Sequence, residues 1–270
     1  MNGYVDFHSG ILPNVGVKCS TTTIDDAIDI LNVLQKAKIK TVVATPCFHP
    51  LEENLNDFLE QRDKTFSDLS QKIEKLSVPR VILGAEVLFT PSLLELDNID
   101  KLCIGETKYI ILALPYQPYS DIIIETLQKF IVAKNLHPII AHIERYLDFY
   151  TLEQLQKISS LGVLMQLSCN AIIERSTRKS ALELLSKGVV QIVGSNDVEI
   201  KKEPRKAKDI AVDVINKDIF TDIKDISTAS PQYSDAIRIM RYHLAIGKYK
   251  QIKNNAGMII SNANIKSIMC

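Results

Sequence analysis

Tryptophan is absent from this chain of 270 residues, and cysteine is scarce and unpatterned. Cys19, Cys47, Cys103, Cys169 and Cys270 include no CxxC pair, so neither a zinc ribbon nor a thioredoxin-type redox motif is present. An odd, scattered set of thiols with no disulfide framework favours a reducing compartment, and the expected location is the cytoplasm. Net charge is also missing, because 32 Lys and Arg balance 32 Asp and Glu. Without a basic excess the composition gives no reason to expect nucleic acid as a partner, and no acidic tail stands out. No stretch approaches the roughly 20 apolar residues needed to cross a bilayer. The opening "MNGYVDF" has no basic segment leading into an apolar one. Neither membrane insertion nor a secretory leader is therefore expected. Glycine-rich phosphate loops are lacking too: the absence of GxGxxG and GxxxxGK[ST] removes the dinucleotide-binding and P-loop classes.

What is there is a chain that can build a large core, since 46% of its residues are hydrophobic. Short, nearly continuous apolar runs recur: "YVDFH" (4–8), "TVVATP" (41–46), "VILGAEV" (81–87), "YIILAL" (109–114), "PIIAH" (138–142), "VLMQLS" (163–168) and "VQIVGS" (190–195). Such runs suit strands buried on both faces of a parallel sheet. Amphipathic segments separate them. In "TIDDAIDILNVLQKAKI" the residues Ile24, Ala27, Ile28, Leu31 and Leu34 make a helical stripe, with Thr23 as N-cap and Asp25 and Asp26 at the positive end of the dipole.

Strands alternating with helices predict an α/β fold, either a doubly wound sheet or a barrel. Polar residues stand at the carboxyl ends of many different strands: His8, Cys47, Glu86, His142, Ser168 and Asn196. A barrel gathers such residues into one ring, so a barrel is expected. One domain should span 1–270. Its loosest part, "DISTASPQYSDA" (225–236), leads into a C-terminal helical extension, 226–270, packed on the barrel.

The first strand poses the functional question. Strict alternation would put Asp6, His8 and residue 10 on one face. A metal strand would end His-x-His, but this one ends His8-Ser9-Gly10.

Together, "VDFHSGILP", "VVATP", "LGAEV", "KYIILALP", "PIIAHIERY" and "IVGSND" resemble, in order and spacing, bacterial protein-tyrosine phosphatases of the polymerase-and-histidinol-phosphatase (PHP) superfamily. The similarity runs from about residue 4 to about residue 210. It implies a distorted TIM-like (β/α)7 barrel and a role in controlling capsule or exopolysaccharide synthesis. The implied partner is a phosphotyrosine protein or a bacterial tyrosine kinase. In that family three divalent ions, often manganese, sit among nine His and carboxylate ligands.

Transferred position by position, the ligand set survives only in part. His8, Glu86 and His142 are retained, and Cys47 replaces a histidine. Gly10, Val17, Ala113, Asn196 and Val198 stand where the family has further ligands, and four of these five offer no donor atom at all. Several divalent ions in a low-dielectric cleft require nearby carboxylates or thiolates, so a trinuclear centre is not expected. One ion on His8, Glu86 and His142, completed by Cys47 or water, is chemically reasonable. Ordinary hydrogen bonds at a barrel mouth would also account for the same residues.

Cys47 as a nucleophile is disfavoured, because "TPCFHPLEEN" has neither a Gly-rich cradle nor an Arg. His49 reads as a loop residue, and His137 and His243 as structural or solvated. Asp197 and Glu199 are out of the ligand register. Arg145, which the resemblance implies lies near the phosphate, suits a bidentate fork, the alternative being an ion pair with Glu144. Arg205 corresponds only loosely to a second family arginine. The resemblance therefore implies a degenerate phosphatase relative acting through binding. The competing reading is an active metal-dependent phosphatase on one or two ions. A phosphatase for small metabolites fits "GAEV" and "AHIERY" less well.

Overall fold

A computed structural model describes residues 4–16, 21, 23–36 and 39–194. The expected helical extension 226–270, and the assignments to Val17, Asn196, Asp197, Val198, Glu199, Arg205 and His243, lie outside the described residues.

The strands are β1 (Tyr4–Ser9), β2 (Ile39–Ala44), β3 (Cys47–Phe48), β4 (Arg80–Leu83), β5 (Glu86–Leu88), β6 (Tyr109–Ala113), β7 (His137–Ile140), β8 (Leu164–Ser168) and β9 (Ile192–Gly194). Every pairing between them is parallel, in the orders β1-β2-β4 and β3-β5-β6-β7-β8-β9. The seven apolar runs appear as nine strands because two runs break. "TVVATP" and the residues after it separate into β2 and β3 at Thr45–Pro46, and "VILGAEV" into β4 and β5 at Gly84–Ala85. Pro46 has no N–H for a ladder. Irregular bonds bridge the gaps: Gly84 N–H to Ala44 O at 2.9 Å and Glu86 N–H to Pro46 O at 3.1 Å.

The result is a mixed α/β fold with a curled parallel sheet, in which β9 comes against β1. A regular (β/α)7 barrel is more than the described strands form. No backbone ladder joins β9 to β1 among them, and the breaks divide the sheet in two.

Strand alternation sorts the apolar residues into two cores. Val42, Ala44, Ile110, Leu112, Ile140, Leu167 and Val193 belong to the large core shared with the helices. Their neighbours Val43, Ile111, Ile139 and Ile192 join Phe7 in a smaller cluster on the concave side. The helices that cover the outside are α1 (Ile24–Lys36), α2 (Leu55–Ile73), α3 (Asp121–Lys134), α4 (Leu152–Ser159), α5 (Cys169–Ile173) and α6 (Arg175–Ser186). On α1, Ala27, Ile30, Leu31 and Leu34 are buried while Ile24 and Ile28 pack at the margin, close to the expected stripe. Thr23 caps it as expected: its Oγ1 accepts from Asp26 N–H at 3.1 Å, and Asp26 Oδ2 accepts from Thr23 N–H at 3.1 Å.

Candidate metal centre

Three adjacent strands lose their register at the same level, and two of the breaks carry the site residues. The β1–β2 pairing slips between Asp6 and Ser9, leaving His8 in the irregular stretch. Glu86 is the first residue after the β4–β5 break. Bulges of this kind bend a strand and re-aim a side chain. Strict alternation fails at His8 for that reason: Phe7 lies in the concave cluster, yet His8 also reaches Glu86 and Gln166. Asp6 is fully buried and accepts a hydrogen bond from His8 N–H at 3.2 Å, so it braces the bulge. The third residue, His142, follows β7 at a left-handed φ of 53° and starts the 3-10 turn Ile143–Asp148. A left-handed non-glycine residue is uncommon and here directs an imidazole.

His8, Glu86 and His142 come together, each offering one ligand atom within 4.8 Å of the others. His8 Nε2 lies 3.1 Å from Glu86 Oε2, and His142 Nε2 lies 3.9 Å from Glu86 Oε1. The two imidazole rings are tilted at 45° with centroids 4.7 Å apart. Cys47 is half-buried beside them, its Sγ–H donating to Glu86 Oε2 at 3.3 Å. It thus touches the cluster through Glu86 but is not one of the three mutually close donors. Ala113, paired with Leu88, contributes only a methyl group.

Arg145 is exposed on the 3-10 turn, with its charge felt at Tyr116 and Tyr146. No ion pair joins it to Glu144 among the described residues, because Glu144 points the other way. Glu144 Oε1 lies 3.7 Å from His142 Nδ1, and Oε2 accepts from Ser168 N–H at 3.3 Å. Ser168 itself caps α5, accepting from Ala171 N–H at 3.2 Å. His49 sits in a loop ion pair with Glu52 at 3.4 Å, and His137 is exposed at the start of β7. Sequence reasoning missed Gln166, whose Oε1 is 2.9 Å from His8 Nδ1, and the role of Glu144. A polar residue inside the apolar run "VLMQLS" was the available signal for Gln166.

Charge explains why so many polar groups tolerate burial here. Burial alone would push the Glu86 carboxyl up, but His8, then His142 and Cys47, outweigh it and hold the group well below the usual carboxylate range. Burial likewise pulls His8 down, and the Glu86 carboxylate overcomes it, so the imidazole is raised above 6.5.

The pair should therefore give the metal-free protein a pH optimum. The His8 contribution is complete below its unfolded value of 6.5 and is lost as pH rises through the raised folded value. The Glu86 contribution is complete above 4.5 and is lost as pH falls toward its depressed folded value. Thermal unfolding in chelator, wild type minus Glu86→Gln, should show the largest difference between those two values and a decline on either side. A difference that grows from neutral to alkaline pH would contradict the pairing.

A curled parallel sheet with a His–Glu–His cluster at its carboxyl edge defines an α/β chain with a metal-type site. The chain belongs to the family described as Capsular polysaccharide synthesis, CpsB/CapC, which it matches over residues 4–233. The expected kinship with a capsule-synthesis family holds at that level. A solved structure reported with YwqE from Bacillus subtilis and CpsB from Streptococcus pneumoniae, "unique metal-dependent tyrosine phosphatases", shares the fold. The TM-score is 0.62 at 19% identity, covering 73% of this chain and 80% of that one. A TatD-family hydrolase from Entamoeba histolytica overlays more loosely, with a TM-score of 0.46 at 14% identity over 96% of this chain and 98% of that one. No curated protein matches by sequence. Among the described residues no helix is long and apolar enough to cross a membrane.

Proposed function

We propose that this chain is a degenerate tyrosine-phosphatase relative that acts by binding in the control of capsule or exopolysaccharide synthesis. Its partner on this reading is a phosphotyrosine protein or bacterial tyrosine kinase, met in the cytoplasm. The observation that carries the reading is the donor set. His8, Glu86 and His142 converge, while Gly10 and Ala113 bring no side-chain donor to the same rim. Two imidazoles and one carboxylate fit one divalent ion and are too few for a cluster of three.

A bound ion would supply an activated water or hydroxide. The chain's own residues do the rest. His8 and His142 aim their Nε2 atoms at Glu86, and Glu86 carries the negative charge between them. Arg145 offers its guanidinium at the exposed rim, near the edge-to-face pair Tyr116 and Phe149 (centroids 4.8 Å apart). A fork of that kind holds a phosphate without activating a nucleophile, so recognition should outlast hydrolysis. The second reading, an active phosphatase on one or two ions, draws support from Cys47 beside Glu86 and from the further carboxylate Glu144.

The test is phosphate release and binding with one phosphotyrosine peptide. Turnover with added manganese should match a metal-free control. Binding should be weak and salt-sensitive, and Arg145→Ala should reduce it several-fold to about tenfold, as expected for an exposed charge-assisted contact. Strong manganese-dependent release by the wild type would overturn the binding role and establish the second reading.

A further inference from the structure

The two histidines of the cluster face the same carboxylate, but only His8 is hydrogen-bonded at both ring nitrogens. Each presents Nε2 to Glu86, at 3.1 Å from His8 and 3.9 Å from His142. His8 Nδ1 is hydrogen-bonded to Gln166 Oε1 at 2.9 Å, whereas His142 Nδ1 faces Glu144 Oε1 at 3.7 Å, an ion-pair distance, and has no hydrogen-bond partner among the described residues. Two ligands about 2.1 Å from a tetrahedral ion stand roughly 3.4 Å apart, a value between the two observed separations.

Both acceptors are fixed from behind. Glu144 is tied to the β8–α5 corner through Ser168 N–H. Gln166 is fully buried on β8, and its amide has room only because residue 194 of β9 is glycine. A Cβ there would stand 2.2 Å from Gln166 Nε2 and 3.0 Å from His8 Cβ. The arrangement is costly, since Gln166 Nε2 is buried without a hydrogen-bond partner among the described residues. An unsatisfied buried amide typically costs about 1–3 kcal/mol. A general packing role is better served by an apolar side chain, which carries no such penalty. What the amide supplies is an acceptor for one particular imidazole nitrogen.

We propose that Gln166 and Glu144 are positioning residues that hold His8 and His142 with Nδ1 protonated, so that both present Nε2, with Glu86, to one divalent ion of the zinc class. The cluster is then a maintained one-ion site, with Cys47 or water beside Glu86 for the fourth position. The ion part rests on the one-ion reading above. The imidazole part stands without it. Acceptors behind ligating histidines commonly govern metal affinity by one to two orders of magnitude.

The full chain, stripped with chelator, is titrated with zinc alone and with manganese alone, and its imidazole N–H groups are followed by nitrogen-15 NMR. The wild type should take up one zinc per chain, bind zinc more tightly than manganese, and show a protected His8 Nδ1–H. Gln166→Met, similar in length but without an acceptor, should lose that signal and bind zinc roughly 10- to 100-fold more weakly. Gln166→Glu should bring affinity back to within a few-fold of wild type. Gly194→Ala should behave like Gln166→Met, because its methyl displaces the amide. Zinc binding unchanged in a folded Gln166→Met overturns the positioning role, as does a wild-type His8 with Nδ1 unprotonated. Should Gln166→Met not fold, the wild-type imidazole signals and the Gln166→Glu affinity decide. A wild type that binds no zinc overturns the one-ion reading, and the imidazole signals of the metal-free protein then judge Gln166 and Glu144 separately.

Discussion

Replacing Glu86 with alanine should abolish metal binding altogether and destabilise the metal-free chain by about 3–5 kcal/mol, the usual cost of stripping one partner from a buried charged pair. Among the described residues Glu86 is the one carboxylate placed between two buried imidazoles, and both of its oxygens are engaged, Oε2 by His8 and Oε1 by His142. Its removal leaves the raised His8 imidazolium facing a void and deprives Cys47 of its acceptor. Glu86→Gln keeps the shape and one oxygen but removes the charge, so it should lose the metal at a smaller stability cost. Denaturant unfolding in chelator, paired with elemental analysis of protein loaded and desalted, separates the two effects. An alanine variant that still carries an ion would show that the ligands lie elsewhere.

Adding donors should have the opposite effect. The combined variant Gly10→His, Ala113→Glu, Asn196→Asp and Val198→His is expected to raise occupancy from at most one ion to about two or three per chain. Turnover of a phosphotyrosine peptide should then rise at least about tenfold, a change worth only ~1.4 kcal/mol in the barrier. Metal should return before activity does, because charge and donor number suffice to hold ions. Hydrolysis also needs the water, the phosphate and Arg145 in mutual register. Manganese uptake by elemental analysis and phosphate release are read on the same preparation. If occupancy stays at one or below with all four donors present, the missing side chains are not what limits the site.

Much of the fold was legible because hydrophobic periodicity and helix capping are local. The runs that became strands lie where continuous apolar residues predicted them, and Thr23 caps α1 through Asp26. Two features were not legible from periodicity. The breaks at Thr45–Pro46 and Gly84–Ala85 lie inside runs that look uninterrupted, since the only local cues are one proline and one glycine. Alternation also mispredicted β1, where the slip between Asp6 and Ser9 overrides the two-residue period that should have set the side-chain direction.

The site divides along the same line. His8, Glu86 and His142 were readable as candidates because each is a polar residue at the end of an apolar run, matching a family pattern residue by residue. Gln166 and Glu144 were not, because what they do depends on which atoms face them across 158 and 2 positions of sequence respectively. For Gln166, even the space it occupies is provided by the missing side chain of Gly194 on the next strand. The amino-acid sequence by itself determined the strand and helix alternation, the family and the ligand types that survive, since these follow from residue chemistry and local spacing. Only the tertiary structure decided that three distant strand ends converge within 4.8 Å and that each imidazole shows Nε2 to a shared carboxylate. Convergence and orientation arise from sheet curvature and bulges, which are set by long-range packing and leave no periodic trace in the chain.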